Sequence, residues 1–359
     1  MVSTTSDTAD AFTFPSVDEV LKADAFPTAV WQLEPHREGM LPVAAGRGGP
    51  FNIHWEVHGD GPIKLVLIGG LGVFKSSWQR QTLHFGHVHG DKYSVLIFDN
   101  RGIGRSDKPL MRYSTSAMAA DLIEVLDHLS WTGERQLHIC GISMIAQEFA
   151  YVAPQRIASL NLLCTAAAIE NTTSFTENIM NRIMLLMPKS LDRTIAYTAS
   201  NIFPESWLSA PDDAVLPDPT IPRCSPPAPS PSPFPSNTSS SPTSPSPSTN
   251  NTNGIWPYKH FPNNFTRFAA QEIHKQRIVP SAQLQTIADN VGRERILVLH
   301  GTEDRVISPP HGRKLIGFMR PGWGVVVEGM GHAPVVERTQ WFNELLAERC
   351  ALGEQLSGR

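Results

Sequence analysis

Three residues of the chain have the types and settings that nucleophilic acyl chemistry needs. Ser143 lies in CGISMIAQEF (140–149), where an apolar run meets a helix-like segment that ends at Pro154. A serine at a sharp strand-to-helix turn holds its hydroxyl clear of a sheet, and the backbone N–H of the next residue, Met144, is then free to hold an oxyanion. The same position also suits a serine that only caps a helix N-terminus. Asp304 closes ILVLHGTED, and His332 stands in EGMGHAP, a Gly-rich turn. Both follow strand-like runs, which is where ligand sites form in open α/β sheets. A serine hydroxyl is a weak nucleophile until an imidazole takes its proton, and a carboxylate must fix that imidazole's tautomer and stabilise its cation. The order Ser, Asp, His along the chain is one of those in which such trios occur. Read separately, Asp304 could be a cap and His332 a structural histidine.

Two glycine-rich turns could support this trio. In IGGLGVFKSSW (68–78), glycines 69, 70 and 72 let a backbone N–H, that of Leu71, turn toward the serine as a second oxyanion donor. No complete phosphate-binding glycine motif occurs here. In FDNRGIGRSDKP (98–109) a strand ends in Asp99, and the polar turn that follows reads as a brace for the neighbouring loop rather than as chemistry.

The elements that must position these residues read as a parallel sheet. KLVLIGG (64–70), YSVLIFD (93–99) and ILVLHG (296–301) are nearly continuous Val/Ile/Leu runs ending in Gly or Asp, the pattern of strands covered on both faces. FNIHWEVHG (51–59), QLHICG (136–141), SLNLLCTA (159–166) and GVVVEGMG (324–331) add four more strands. Helical spacing over 117–129 and 339–352 alternates with them, which predicts an α/β sheet. Ser16 and Glu19 form a capping pattern that predicts a short helix near 17–23, inside an N-terminal arm spanning 1–48. The core is expected over 49–168 and 292–359, with a helical cap inserted at 169–291. Within that insert, Met180, Ile183, Met184 and Met187 share one helical face and could contact an apolar substrate or simply pack as core. Of the 30 residues in 225–254, 19 are Ser or Pro and none is charged, so this stretch is expected to be a disordered loop.

Composition narrows the function classes. With 30 basic against 34 acidic residues and no basic run, nucleic acid is not an expected partner. Four scattered cysteines without a CxxC pair exclude a disulfide scaffold and a zinc site of the usual spacing. No run of 18 apolar residues is present to span a membrane, and the first residues lack the basic and apolar regions of a secretory signal, so the expected location is cytoplasmic.

GGLG, FDNRGIGRSD, G-x-S, HGTED and GMGH occur in an order and spacing that resemble the α/β-hydrolase fold family, and most of all its capped members related to enol-lactone hydrolases, C–C bond hydrolases and proline iminopeptidases. The likeness covers roughly 50–168 and 292–348. It implies a mostly parallel central sheet with helices on both faces and an inserted helical cap. It also implies Ser143 as nucleophile, His332 as general base, Asp304 as its orienting acid, and Leu71 and Met144 as oxyanion donors. No metal or organic cofactor is implied, and the expected partner is a small apolar acyl substrate if the Met180, Met184 and Met187 face lines the pocket. Acyl transfer or C–C bond hydrolysis would use the same residues. One departure stands out. Such proteins usually carry Gly-x-Ser-x-Gly, whereas here the second position after Ser143 is Ile145. The turn reads as about three residues shorter than GISMGG-x-IAQE, which would displace the helix start by about 4.5 Å. A β-branched residue also suits a strained turn poorly. The alternative expectation is therefore an impaired relative that binds a ligand without turning it over.

Overall fold

A computed structural model describes residues 13–23, 26, 29–70, 72–168, 190–211, 214–217, 224–225 and 280–359. The apolar runs form one sheet of eight strands: β1 (Arg37–Val43), β2 (Phe51–His58), β3 (Ile63–Ile68), β4 (Tyr93–Phe98), β5 (Leu137–Gly141), β6 (Ile157–Leu163), β7 (Ile296–Gly301) and β8 (Trp323–Val327). Their order across the sheet is β8-β7-β6-β5-β3-β4-β2-β1. β2 is antiparallel to both β1 and β4, and every other pairing is parallel. Every residue of β4, β6 and β7 is buried, while the edge strands β1 and β8 are partly exposed. That contrast is expected of a parallel sheet covered on both faces, where only the edges meet water.

Side chains alternate between two cores because successive strand residues point to opposite faces. Val66 and Ile68 of β3 enter one core, and Leu65 and Leu67 the other. The first core is closed by α1 (Thr115–His128), α2 (Met144–Val152), α4 (Ser281–Val291) and α5 (Pro309–Met319), through residues such as Leu122, Phe149, Ile287 and Leu315. The second is closed by α6 (Thr339–Leu356) through Phe342, Leu345 and Leu346. It also receives Ala199 of α3 (Leu191–Ile202) and the following Phe203. Each fully buried Leu, Ile or Phe is worth about 1.5–3 kcal/mol, so these two layers fix the strand ends rigidly.

The expected strands and the helices near 117–129 and 339–352 are present, and the Ser16–Glu19 capping box starts the helix Val17–Leu21. α4 falls within the stretch assigned to the insert on sequence, and it buries Leu284, Ile287, Ala288 and Val291 in the first core. Its apolar spacing serves the sheet, and nothing in its own sequence distinguishes that surface from a cap. Leu71, Met180, Ile183, Met184, Met187 and the stretch 226–254 lie outside the described residues. Among the described residues, no helix is long and apolar enough to cross a membrane.

The N-terminal arm is tied to the segment between β6 and β7. Val17 N donates to Asp192 Oδ1 at 2.7 Å, and Val20 packs on Ile195 of α3. Gln32–Leu33 pairs antiparallel with Cys224–Ser225.

Candidate active site

β3 sits where the sheet order reverses: β4 lies on one side of it and β5 on the other. The loops leaving the carboxyl ends at such a switch point form a crevice. Gly70 follows β3 and Ser143 follows β5. A Cβ placed on Gly70 would stand 2.7 Å from the Ile142 carbonyl oxygen and 3.6 Å from Ser143 Cβ, so only glycine lets the two loops touch. The Gly70 loop is held in place by Asn100 Nδ2, which donates to the Gly69 carbonyl at 3.0 Å.

Asn100 belongs to the polar turn after β4, and that turn is a brace. The Asp99 carboxylate accepts from Lys75 N and Arg105 N, both at 3.0 Å. Arg101 is fully buried, makes a bidentate pair with Asp121 of α1 at 2.7 Å from each nitrogen, and lies over the Phe51 ring. All its binding capacity is spent inside the fold, in keeping with the structural part expected of it.

Ser143 is the N-cap of α2, with φ −173° and ψ 163°, ordinary extended backbone without strain. Its Oγ accepts from Ile145 N at 3.2 Å. Ile145 points into the first core and is 1% exposed. The turn therefore differs from the strained geometry that sequence motifs of this type suggest: the chain enters the helix directly. The close approach of helix and strand is made one residue later, where a Cβ on Gly141 would meet Ala146 Cβ at 2.7 Å.

Asp304 and His332 come together at the ends of β7 and β8. His332 Nδ1 donates to Asp304 Oδ2 at 2.8 Å. Asp304 Oδ1 accepts from Val306 N at 2.9 Å and Ile307 N at 2.8 Å, which pins the carboxylate. Burial works against protonation of His332, but the charge and hydrogen bond of Asp304, with Glu337 nearby, outweigh it and raise its pKa above the ordinary imidazole value. Among the described residues, Ser143 and His332 share no hydrogen bond. Catalytic contacts are often long before substrate binds.

Three further residues surround this pair that sequence reasoning missed. His300 Nε2 donates to the Ile307 carbonyl at 2.7 Å and lies 3.3 Å from Asp304 Oδ2; burial lowers its pKa, favouring the neutral ring. Cys164, held at φ 44° just after β6, donates to the Gly331 carbonyl at 3.6 Å. Glu337 accepts from Gly331 N and Ala333 N, on either side of His332. His300 was visible as a histidine four positions before Asp304; the other two carry no local signal, because only the closed sheet brings them to the site.

Two described sets offer three metal-type donors within 4.8 Å of one another: Cys164, Asp304 and His332, and Glu38, His54 and Glu56. In the first, the Asp304–His332 hydrogen bond occupies the donors; in the second, Lys75 Nζ lies 3.1 Å from Glu56 and supplies the positive charge.

A profile of the α/β-hydrolase fold matches residues 65–339. A 3-oxoadipate enol-lactonase of Acinetobacter baylyi is 36% identical over 108 residues, covering 29% of this chain and 38% of the relative. RutD of Azorhizobium caulinodans, which carries the name of a carbamate hydrolase, is 27% identical over 168 residues, covering 45% of this chain and 58% of its own length. The matched stretches thus span less than two thirds of these curated relatives. Among solved structures, Est816, described as an N-acyl homoserine lactone degrading enzyme, superposes with a TM-score of 0.59 at 20% identity over 83% of this chain and 97% of that one. The enol-lactonase of Burkholderia xenovorans gives 0.58 at 17% identity over 87% and 100%.

Proposed function

This chain belongs to the α/β-hydrolase fold family, and from that premise we propose that it is a serine hydrolase cleaving an ester, lactone or related acyl bond. The observation that carries the reading is the 2.8 Å hydrogen bond between Asp304 and His332, made beyond the carboxyl ends of β7 and β8, on the edge of the sheet where Ser143 follows β5. In this reading Ser143 Oγ releases its bond to Ile145 N and attacks the acyl carbon while His332 Nε2 takes its proton. Asp304 keeps the Nδ1 proton in place and stabilises the imidazolium. The backbone N–H groups of Leu71 and Met144 hold the oxyanion. His332 then protonates the leaving group, and water activated by the same ring releases the acid from the acyl-enzyme. The enol-lactonase and the homoserine-lactone enzyme among the similar proteins support an acyl oxygen bond as the target. The insert, residues 169–291, is proposed as a cap whose Met180, Met184 and Met187 contact the substrate; the hydrogen bond from His332 N to the Ile202 carbonyl, 2.7 Å, supports a segment lying against the site.

Turnover of a simple aryl ester tests this reading. Ser143→Ala and His332→Ala should each reduce kcat by more than about 10²-fold. Equal turnover by Ser143→Ala and the parent would defeat it.

One observation favours a second reading, a ligand-binding protein of the same fold: the Ser143 hydroxyl is engaged as a helix cap on unstrained backbone. Inserting Gly-Gly-x between Met144 and Ile145 separates the two. A misaligned oxyanion donor costs about 10²–10³-fold, so a gain of that order would mean that the short turn had impaired a hydrolase. An insertion variant that stays folded and inert, like an inert parent, would favour binding.

A further inference from the structure

The loop bearing His332 is bonded at three consecutive backbone N–H groups. His332 N donates to the Ile202 carbonyl, while Gly331 N and Ala333 N donate to one carboxylate, Glu337 Oε2 at 2.7 Å and Oε1 at 2.9 Å. Glu337 ends the short helix Pro334–Glu337, is 6% exposed, and folds back over the residues that precede it. There is no room for adjustment on the other side: a Cβ on Gly331 would lie 2.4 Å from the Ile202 carbonyl oxygen and 3.0 Å from Glu337 Oε1.

Burying a carboxylate is costly unless its charge does something there. Two convergent N–H donors need two acceptor oxygens. A glutamine offers one, and its NH₂ group would face a donor. An aliphatic residue would leave both N–H groups unpaired. We propose that Glu337 is a positioning residue for His332, fixing the backbone on both sides of the ring and stabilising the imidazolium that forms when the ring takes the serine proton. The inference rests on the serine-hydrolase reading for its catalytic part. Its structural part stands on the two hydrogen bonds.

Among the described residues, the titratable groups facing Glu337 are His332, Asp304 and Cys164. The nearby cations are otherwise engaged: Arg80 Nη1 donates to the Val336 carbonyl and Arg338 Nη2 to the Glu328 carbonyl. Burial pushes the Glu337 carboxyl up to about 7 against the pull of its two N–H partners and of His332. Its two-acceptor form therefore becomes complete as pH rises through neutrality.

The test compares the parent with Glu337→Gln, which preserves shape and removes charge, by nuclear magnetic resonance titration of the His332 ring and by aryl-ester kinetics. The ring midpoint should move to lower pH in the variant, and the acid limb of kcat/KM should move with it. kcat should fall by about ten- to a hundredfold, as expected when a catalytic group is displaced by a fraction of an ångström, with KM changed by less than about twofold. A folded variant whose His332 titration and kcat both match the parent overturns the proposal. A parent that turns over no ester, but whose His332 midpoint still follows Glu337, contradicts the hydrolase reading alone and supports the positioning role. Should Glu337→Gln fail to fold, the same titration on Glu337→Asp decides, since the shorter carboxylate keeps the charge but cannot reach both N–H groups. A freed Gly331 or Ala333 amide with a changed His332 midpoint supports the proposal, and parent-like amide and ring signals overturn it.

Discussion

The hydroxyl that the proposed mechanism needs as nucleophile also caps the helix behind it. Ser143 has extended backbone and accepts from Ile145 N, so it stores no strain for a mutation to release. Replacing an N-cap serine by alanine costs about 1 kcal/mol, and by glycine only a few tenths. Ser143→Ala should thus lower the denaturation free energy by about that amount while Ser143→Gly stays close to the parent. Measured by urea unfolding, an alanine variant more stable than the parent would mean that the turn is strained after all. Asp304 and His332 were legible in the sequence because each follows its own apolar strand into a short polar loop. Glu337 was not: its partners are four and six residues away through a turn whose path only the packed loop defines.

The element that decides the site is the join of β5 to α2. Its strand and helix are plain in the sequence, but the way they meet is not, since a missing glycine says nothing about where the contact moves. Here it moves to Ala146, which is fully buried against Gly141. Ala146→Leu should destabilise the protein by about 1–3 kcal/mol through overpacking, with a lower urea midpoint. Ser143 and the Gly70 loop would be displaced with it. An unchanged midpoint would show slack between helix and strand that the close contact denies. α4 makes the complementary point. It buries one apolar face, yet whether such a face meets a sheet or a cap depends on residues far away in the chain.

Across the whole molecule, the C-terminal helix is locked to the sheet by a partly buried ion pair. His138 Nε2 on β5 lies 3.0 Å from Glu354 Oε1 on α6, and Arg359 binds the same carboxylate at 2.8 Å. Burial opposes protonation of His138, but the neighbouring Cys350 and Glu354 outweigh it and raise it from 6.5 to about 9. Arg359 and His138 lower Glu354 from 4.5 to about 2. The histidine's contribution is complete below 6.5 and is lost as pH rises through about 9; that of the glutamate is complete above 4.5 and is lost as pH falls through about 2. The stability difference between the parent and Glu354→Gln should therefore be largest between pH 4.5 and 6.5 and shrink toward pH 9, with a hydrogen bond to a charged group worth about 1.5–3 kcal/mol. A pH-independent difference would assign the pair no electrostatic role. The central claim, that this fold presents Ser143 as a nucleophile activated by His332 and Asp304, is tested most directly by exposing the intact protein to a serine-directed phosphonate and mapping the modified peptide. The account predicts one adduct, on Ser143, abolished in His332→Ala; a folded protein that takes no label, or takes it on another serine, would contradict it.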